Sequence, residues 1–342
     1  MQSHRAECRP IGSKDAASFA TTTQRVLPIG QVQSAAVPRA VEPLASYAHP
    51  GYAASFAEFG APIELPRSRG WLLARPIGTS GLLDAMGCYP LFDCADWNGL
   101  AADLEACART FVSVALVTDP FGAYDEALLR ETFERVSVFK QHFIADLTRP
   151  IDARAPYQHR YNARRALRRV AVDDPAPTST CLDEWCNLYE QLAARRGIAG
   201  IRRFSRASFA AQFRLPGLVV LRAREGNTTV GMHLWLVDGD VARSHLSASS
   251  DRGYQLSSSY ALHWSANEYF AGKVRWLALG SGAGLTADAT DGLSIFKRGW
   301  ATGTRPAYLC GRICDPDRYA DLARAAGSAG TNYFPAYRLG EF

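Results

Sequence analysis

Lys297 stands between Phe296 and Arg298, a short way past the run Gly280-Ser281-Gly282-Ala283-Gly284. A lysine there is a point charge on a flexible stem, suited to phosphate or to the negative charge that develops on an acyl oxygen. A surface lysine at a strand start is the plain alternative. His245 lies in Val241–Ser249, whose alternation places Arg243, His245 and Ser247 on one face, opposite Leu246 and Ala248. An imidazole has the pKa of a general base, although a hydrogen-bonded structural histidine reads the same way. Ser247 on that face is assigned to substrate. Tyr254 is a candidate proton donor, with Tyr260 as an alternative. His233 can pair across from His245, and His263 reads as packing.

Two further groups suit anions. Ser250-Asp-Arg-Gly-Tyr-Gln-Leu-Ser-Ser258 reads as a loop entering a helix. Free N–H groups and the positive dipole end make such a place receptive to phosphate. Arg252, Gly253, Ser257, Ser258 and Ser259 would form the cradle, although ordinary serine capping explains the serines equally well. His159–Arg169 reads as a helix with Arg160, Arg164 and Arg168 on one stripe and Arg165 and Arg169 beside it. Guanidinium forks match phosphate oxygens, so Arg160, Arg164 and Arg165 are assigned to an acidic substrate. A solvated charge run is the competing reading.

Several classes are set aside. Eight cysteines are scattered without a Cys-x-x-Cys pair or a His partner set, which argues for reduced thiols and no metal. No run of about 18 apolar residues occurs, so no transmembrane segment is expected. The N-terminus lacks the apolar core of a secretory signal. No RNP-type aromatic pair is present, which argues against sequence-specific nucleic-acid binding and DNA. The net charge of +5 permits an anionic partner without requiring one.

These residues must be positioned by alternating strands and helices. Leu218–Arg224, Thr228–Val237 and Val241–Ser249 form a meander joined at Glu225-Gly226-Asn227 and Asp238-Gly239-Asp240. Val230, Met232, Leu234 and Leu236 are expected on one face. A helix over Ser257–Ala271 and a strand over Val274–Leu279 follow. Leu182–Arg196 and Ser205–Phe213 read as helices before the meander, and Tyr308–Ile313 and Pro316–Ala326 as a strand and helix after it. In the first half, Tyr47–Phe59, Gly99–Arg109 and Asp125–Val136 read as helices. Gly70–Arg75, Gly87–Phe92, Phe111–Thr118 and Lys140–Leu147 read as strands. The 342 residues suit two domains. Residues 1–41 lack periodicity and read as a disordered tail.

The second half resembles the GCN5-related acyltransferase (GNAT) superfamily, and more narrowly its FemAB/BioF2-like branch. The likeness rests on the arginine helix 159–169, on the element order over 182–279, and on Asp291-Gly-Leu-Ser-Ile-Phe-Lys297-Arg-Gly-Trp300 after the glycine loop. The resemblance implies an α/β (α+β) fold of tandem GNAT-like domains, each a mixed, mostly antiparallel sheet flanked by helices. They are placed at 42–153, degenerate, and 154–342. It implies that Lys297 faces the active cleft. The Arg/Gln-x-x-Gly-x-Gly/Ala loop of acetyl-CoA enzymes is not matched by 250–258, and no catalytic carboxylate can be placed in the first half.

The function expected is transfer of an acyl group from acyl-CoA or another acyl carrier, as co-substrate, to an amine or hydroxyl of a small-molecule or cell-envelope precursor. No permanently bound cofactor is expected. Aminoacyl-tRNA-dependent transfer of the peptidoglycan type is the second reading, with tRNA the less favoured donor. A non-catalytic anion-binding module with a decayed site is the third. The expected location is the cytoplasm, or the periphery of the inner membrane face.

Overall fold

Gly226 and Gly239 sit at φ +59° and +54°, in the left-handed region that tight hairpin turns require. They set the register of the expected meander. The computed structural model describes residues 44–284 and 291–341; the tail expected at 1–41 lies outside them. The strands are β1 (Ala61–Leu65), β2 (Gly70–Pro76), β3 (Leu83–Gly87), β4 (Ser113–Val117), β5 (Arg135–Asp146), β6 (Ala171–Asp173), β7 (Leu218–Glu225), β8 (Thr228–Asp238), β9 (Val241–Ser249), β10 (Trp276–Gly280) and β11 (Gly303–Ile313). In the first part of the chain the helices are α1 (Pro50–Ala54), α2 (Leu100–Cys107), α3 (Glu126–Thr132), α4 (Ile151–Arg154) and α5 (Tyr157–Leu167). They continue with α6 (Thr178–Arg196), α7 (Arg206–Gln212), α8 (Asp251–Leu256), α9 (Ser258–Phe270), α10 (Gly292–Arg298) and α11 (Pro316–Ala325).

One sheet runs β1-β2-β3-β4-β11-β5-β10-β9-β8-β7-β6. Every neighbouring pair is antiparallel except β3–β4 and β9–β10. The order is a duplication. In each half a meander (β1-β2-β3 or β7-β8-β9) leads through a helix to a strand parallel to the last meander strand. The strand that completes each half comes from the other. β5 pairs with β10, while β11 pairs with β4, and β5 and β11 pair with each other at the centre. This is the tandem, mostly antiparallel α/β fold that the resemblance implies. The 153/154 boundary is a boundary in sequence only, because the two halves exchange their last strands within one sheet.

The second half is covered on both faces. Leu234 and Leu236 face Trp185 of α6 and Phe209 of α7. Trp235 and Leu277 face Leu262 and Phe270 of α9, together with Trp300. Burying such side chains is worth roughly 1.5–3 kcal/mol each. The first half closes on Leu72, Trp97, Leu104 and Phe111.

Local departures from the alternation each have a cause. The β7–β8 register shifts at Ala223/Arg224, so Val230 leaves the Met232–Leu236 face for the opposite core. The helix expected to end at Val136 stops at Thr132, and β5 starts at Arg135. The strand expected at Gly87–Phe92 lies earlier, ending at Gly87, ahead of the cis Tyr89-Pro90 bond. Tyr47–Phe59 is not one helix: Pro50 starts the five-residue α1, and a 3₁₀ turn precedes it.

Candidate active site

The site forms where the sheet opens. β9 and β10 pair in parallel at Val241/Trp276, Ala242/Leu277 and Arg243/Ala278, and no further. From Ser244 onward the edge of β9 has no ladder partner on that side among the described residues. Two irregularities set the divergence. β9 carries a bulge at His245, where Leu234 pairs with Leu246 but Trp235 with Ser244. β10 shifts register against β5 between Ala278 and Gly280. A bulge bends its strand and resets its alternation.

That bulge corrects the expected β9 face. Arg243 and His245 share a side, but Ser247 pairs with His233 and passes to the other, while Leu246 and Ala248 join the α6 core. His245 is enclosed by the rings of Tyr47, Tyr52 and Phe204. Its Nε2 lies 3.1 Å from Gln212 Oε1 and its Nδ1 3.5 Å from the Tyr47 hydroxyl. Burial pushes its pKa down to about 3. The imidazole is thus a neutral core group with both nitrogens facing protein atoms, which is the plain reading of this residue.

Lys297 reaches the opening from a helix, not from a strand start. Asp291 begins α10 by accepting from the N–H groups of Leu293 (2.8 Å) and Ser294 (3.0 Å). The last turn then points the Lys297 ammonium inward, where it donates to the Ser281 carbonyl at 2.8 Å. Gly280 makes room: it has φ +77°, and a Cβ there would lie 3.0 Å from Nζ. The stem is partly exposed while the ammonium is enclosed. Burial, and then the Lys140 ammonium, lower its pKa to about 8. Lys140, from β5, donates to the Gly282 carbonyl at 3.1 Å and also to the Gly284 carbonyl. The glycine loop therefore turns carbonyls toward two cations.

Histidines line the same region. Burial lowers the pKa of His142, on β5, to about 4, and Lys297 adds to the effect. His233 Nε2 lies 2.7 Å from Ser244 Oγ, and the ring packs on His263 at 4.7 Å between centroids. His263 donates through Nδ1 to the Ser259 carbonyl at 3.0 Å. Its ring lies against Phe296 and Trp300, so it packs as expected.

The first half contributes carboxylates that the sequence did not single out. Asp119, after β4, receives Arg243 Nε, and its other oxygen accepts from Phe121 N at 2.8 Å. Asp93 stands 3.7 Å from the same guanidinium and accepts from Cys94 N at 2.9 Å. Burial, and then repulsion from Asp119, raise Asp93 to about 7 against the pull of Arg243. Nothing local marks Asp93 or Asp119, which lie in loops ~120–150 residues from Arg243; a buried arginine on an opened strand is the one signal that asks for such partners.

The remaining assigned residues do not converge here. The 250–258 loop is helix: Ser250 caps α8 by accepting from Gly253 N at 3.1 Å. Gly253 is needed for packing, since a Cβ would lie 2.1 Å from the Val230 carbonyl. Ser257 is left-handed at φ +60° and makes no side-chain cap. Ser258 is buried against Ser249, with 3.0 Å between hydroxyls. The Ser259 carbonyl is held by His263. Arg252 is paired with Glu225 at 2.5 Å. Tyr254 is exposed, under the Arg195 guanidinium at 4.5 Å. Tyr260 packs on Phe296. Arg160 and Arg164 share Asp152 at 3.4 Å, and Arg165 is exposed. The described cysteines are free thiols, and no group of three or more His, Cys, Asp or Glu that could hold a metal occurs among the described residues. No described helix is long and apolar enough to cross a membrane.

A duplicated, mostly antiparallel sheet flanked by helices is a GNAT-like fold. Residues 157–285 match the family model of the acetyltransferase (GNAT) domain. Three solved structures share the fold. The C-terminal domain (DUF2156) of a protein named as a lysylphosphatidylglycerol synthetase from Agrobacterium fabrum is 14% identical, with TM-score 0.56, covering 82% of this chain and 92% of that one. FemX is 12% identical, with TM-score 0.56, covering 79% and 92%. L-PGS from Bacillus licheniformis is 15% identical, with TM-score 0.51, covering 80% and 94%. No curated protein matches the chain in sequence. Residues 157–285 are thus similar to the GNAT domain, and the fold of the chain is shared with FemX.

Proposed function

We propose that the protein transfers an acyl group from an activated carrier to an amine or hydroxyl at the opening between β9 and β10. The observation that carries this is the enclosed Lys297 ammonium, held on the Ser281 carbonyl just past β10, the strand that stops pairing with β9 after Ala278. The acceptor nitrogen or oxygen attacks the acyl carbonyl carbon. The carbonyl oxygen takes the negative charge and faces Lys297, a fixed cation in a water-poor site, with the free β9 edge as a further source of N–H. Asp93, raised to about 7 by burial and by Asp119, is the group assigned to take the acceptor's proton. Collapse of the tetrahedral species expels the carrier's sulfur or oxygen, which takes the proton that Asp93 received, directly or through solvent, and leaves as the thiol or alcohol.

An acyl-thioester such as acyl-CoA is one donor this chemistry accepts, with a small-molecule or envelope-precursor acceptor. An aminoacyl ester carried on tRNA is the second. The second gains support from the 250–259 segment, where Arg252 is paired with Glu225, Ser258 is buried against Ser249 and Gly253 is packed on Val230. The fold likeness to a domain of a protein named as a lysylphosphatidylglycerol synthetase agrees with an aminoacyl cargo. The test offers the purified protein a panel of acyl-CoAs and, separately, charged tRNAs, with mass detection of acylated products in a metabolite and lipid extract. Product from either panel that is lost in Lys297→Ala supports acyl transfer, and the active panel names the carrier. Product that persists undiminished in Lys297→Ala removes the lysine from the mechanism. No product from any donor leaves an anion-binding module.

A further inference from the structure

We propose that Ser244 is a second hydrogen-bond donor to the reacting acyl oxygen, set in place by His233; this rests on the acyl-transfer reading of the same opening. Ser244 is the first residue of β9 beyond its last pair with β10, Arg243/Ala278. On the other strand the Lys297 ammonium lies at Gly280, 3.0 Å from the place that a Cβ would take. The hydroxyl and the ammonium thus border the opening from its two sides. One packed group joins them. Ser244 Oγ is 2.7 Å from His233 Nε2, the His233 ring lies 4.7 Å from that of His263, and His263 packs on Phe296, the residue before Lys297. Burial lowers the pKa of both imidazoles, and the Lys297 charge lowers it further.

The direction of the Ser244–His233 hydrogen bond follows from what the other ring nitrogens meet. His233 is fully buried, and its neutral ring carries one proton. Its Nδ1 is buried and has no hydrogen-bond partner among the described residues. His263 does not relieve it, since that ring donates through Nδ1 to the Ser259 carbonyl and its Nε2 is likewise buried without a partner. An orphaned buried N–H is rarer than an under-used acceptor, so the His233 proton sits on Nε2 and is donated to Ser244 Oγ. Ser244 makes no other side-chain hydrogen bond among the described residues, and it is half-buried where His233 is enclosed. Its own O–H is therefore turned away from the ring and left for a substrate. With Lys297 it would share the charge that develops on the acyl oxygen, and no bond to Ser244 is made or broken.

NMR of the full chain carrying isotope-labelled histidine reads the His233 tautomer, its signal assigned by its loss in His233→Gln. Expected is the Nε2–H form, with that signal shifted in Ser244→Ala. In the donor panel, Ser244→Ala should lower kcat about 10²-fold with the donor KM unchanged. Ser244→Thr, which keeps the hydroxyl, should recover most of the rate. Thermal unfolding of each variant confirms folding. A His233 proton on Nδ1, or full turnover in Ser244→Ala, overturns the inference. Full turnover in Ser244→Ala with loss in Lys297→Ala leaves the acyl-transfer reading standing. No product from any donor removes that reading and this inference with it.

Discussion

Arg243 and Asp119 join the two halves of the molecule at the point where the sheet parts: the last residue of β9 that pairs with β10 donates its Nε to a carboxylate that follows β4. Both groups are buried, and Asp93 stands close to the same guanidinium. The contact fixes the first half against the strand that borders the opening. It also sets the charge around the candidate base, because Arg243 is what opposes the upward pull on Asp93.

Arg243→Ala should therefore be costly. It leaves Asp119 and Asp93 facing each other without their cation. Losing one partner of a buried pair destabilises by about 3–5 kcal/mol. Urea unfolding measures this, and Asp119→Asn in the Arg243→Ala background should recover part of the loss. An unchanged midpoint in Arg243→Ala would mean that the pair does not hold the halves together.

Lys297→Ala should reduce kcat/KM by about 10²–10³-fold, the usual cost of removing one donor to a developing oxyanion. The pH profile should be narrow. Asp93, near 7, must be ionised to accept a proton, so activity falls below that pH; Lys297, near 8, must be charged, so activity falls above it. Asp93→Asn should remove the acid limb and Lys297→Ala the alkaline one, as read from kcat/KM across pH 5 to about 10. Limbs that persist in both variants would assign the titrations elsewhere.

The buried histidines predict acid instability. Burial lowers His142 to about 4, His245 and His263 to about 3, and His233 well below the ordinary imidazole range. Below about pH 6.5 the unfolded chain binds protons that the folded one refuses, so stability is full above that pH and is lost as pH falls toward 4–3. Each such histidine contributes a slope of about 1.4 kcal/mol per pH unit. Unfolding free energies measured from pH 7 to about 4 check this, and His245→Gln should make the slope shallower.

Arg252→Ala should leave the KM for any acyl-CoA substrate unchanged, because Glu225 already occupies the guanidinium and Ser258 is buried against Ser249. A rise in KM confined to CoA donors would restore the phosphate role first read from the sequence.

The sequence by itself indicated the meander, its two glycine turns and the tandem class of fold, and it offered Lys297 as a candidate without the helix that carries it. These rest on local signals: period-two alternation, left-handed glycines and a motif within ten residues. It also marked the arginine helix, but not which way its side chains point. Tertiary structure alone decided the rest. A one-residue bulge at His245 moved Ser247 to the other face, which no alternation rule foresees because the extra residue is defined only by the partner strand. The 250–258 segment is helix, capped by Ser250, with Gly253 packed on the Val230 carbonyl. Asp93 and Asp119 entered the site because β5 and β11 cross between the halves and bring loops ~120–150 residues away onto Arg243. Pairing between distant strands is a long-range choice made by the whole sheet, and the chemistry of this site depends on it.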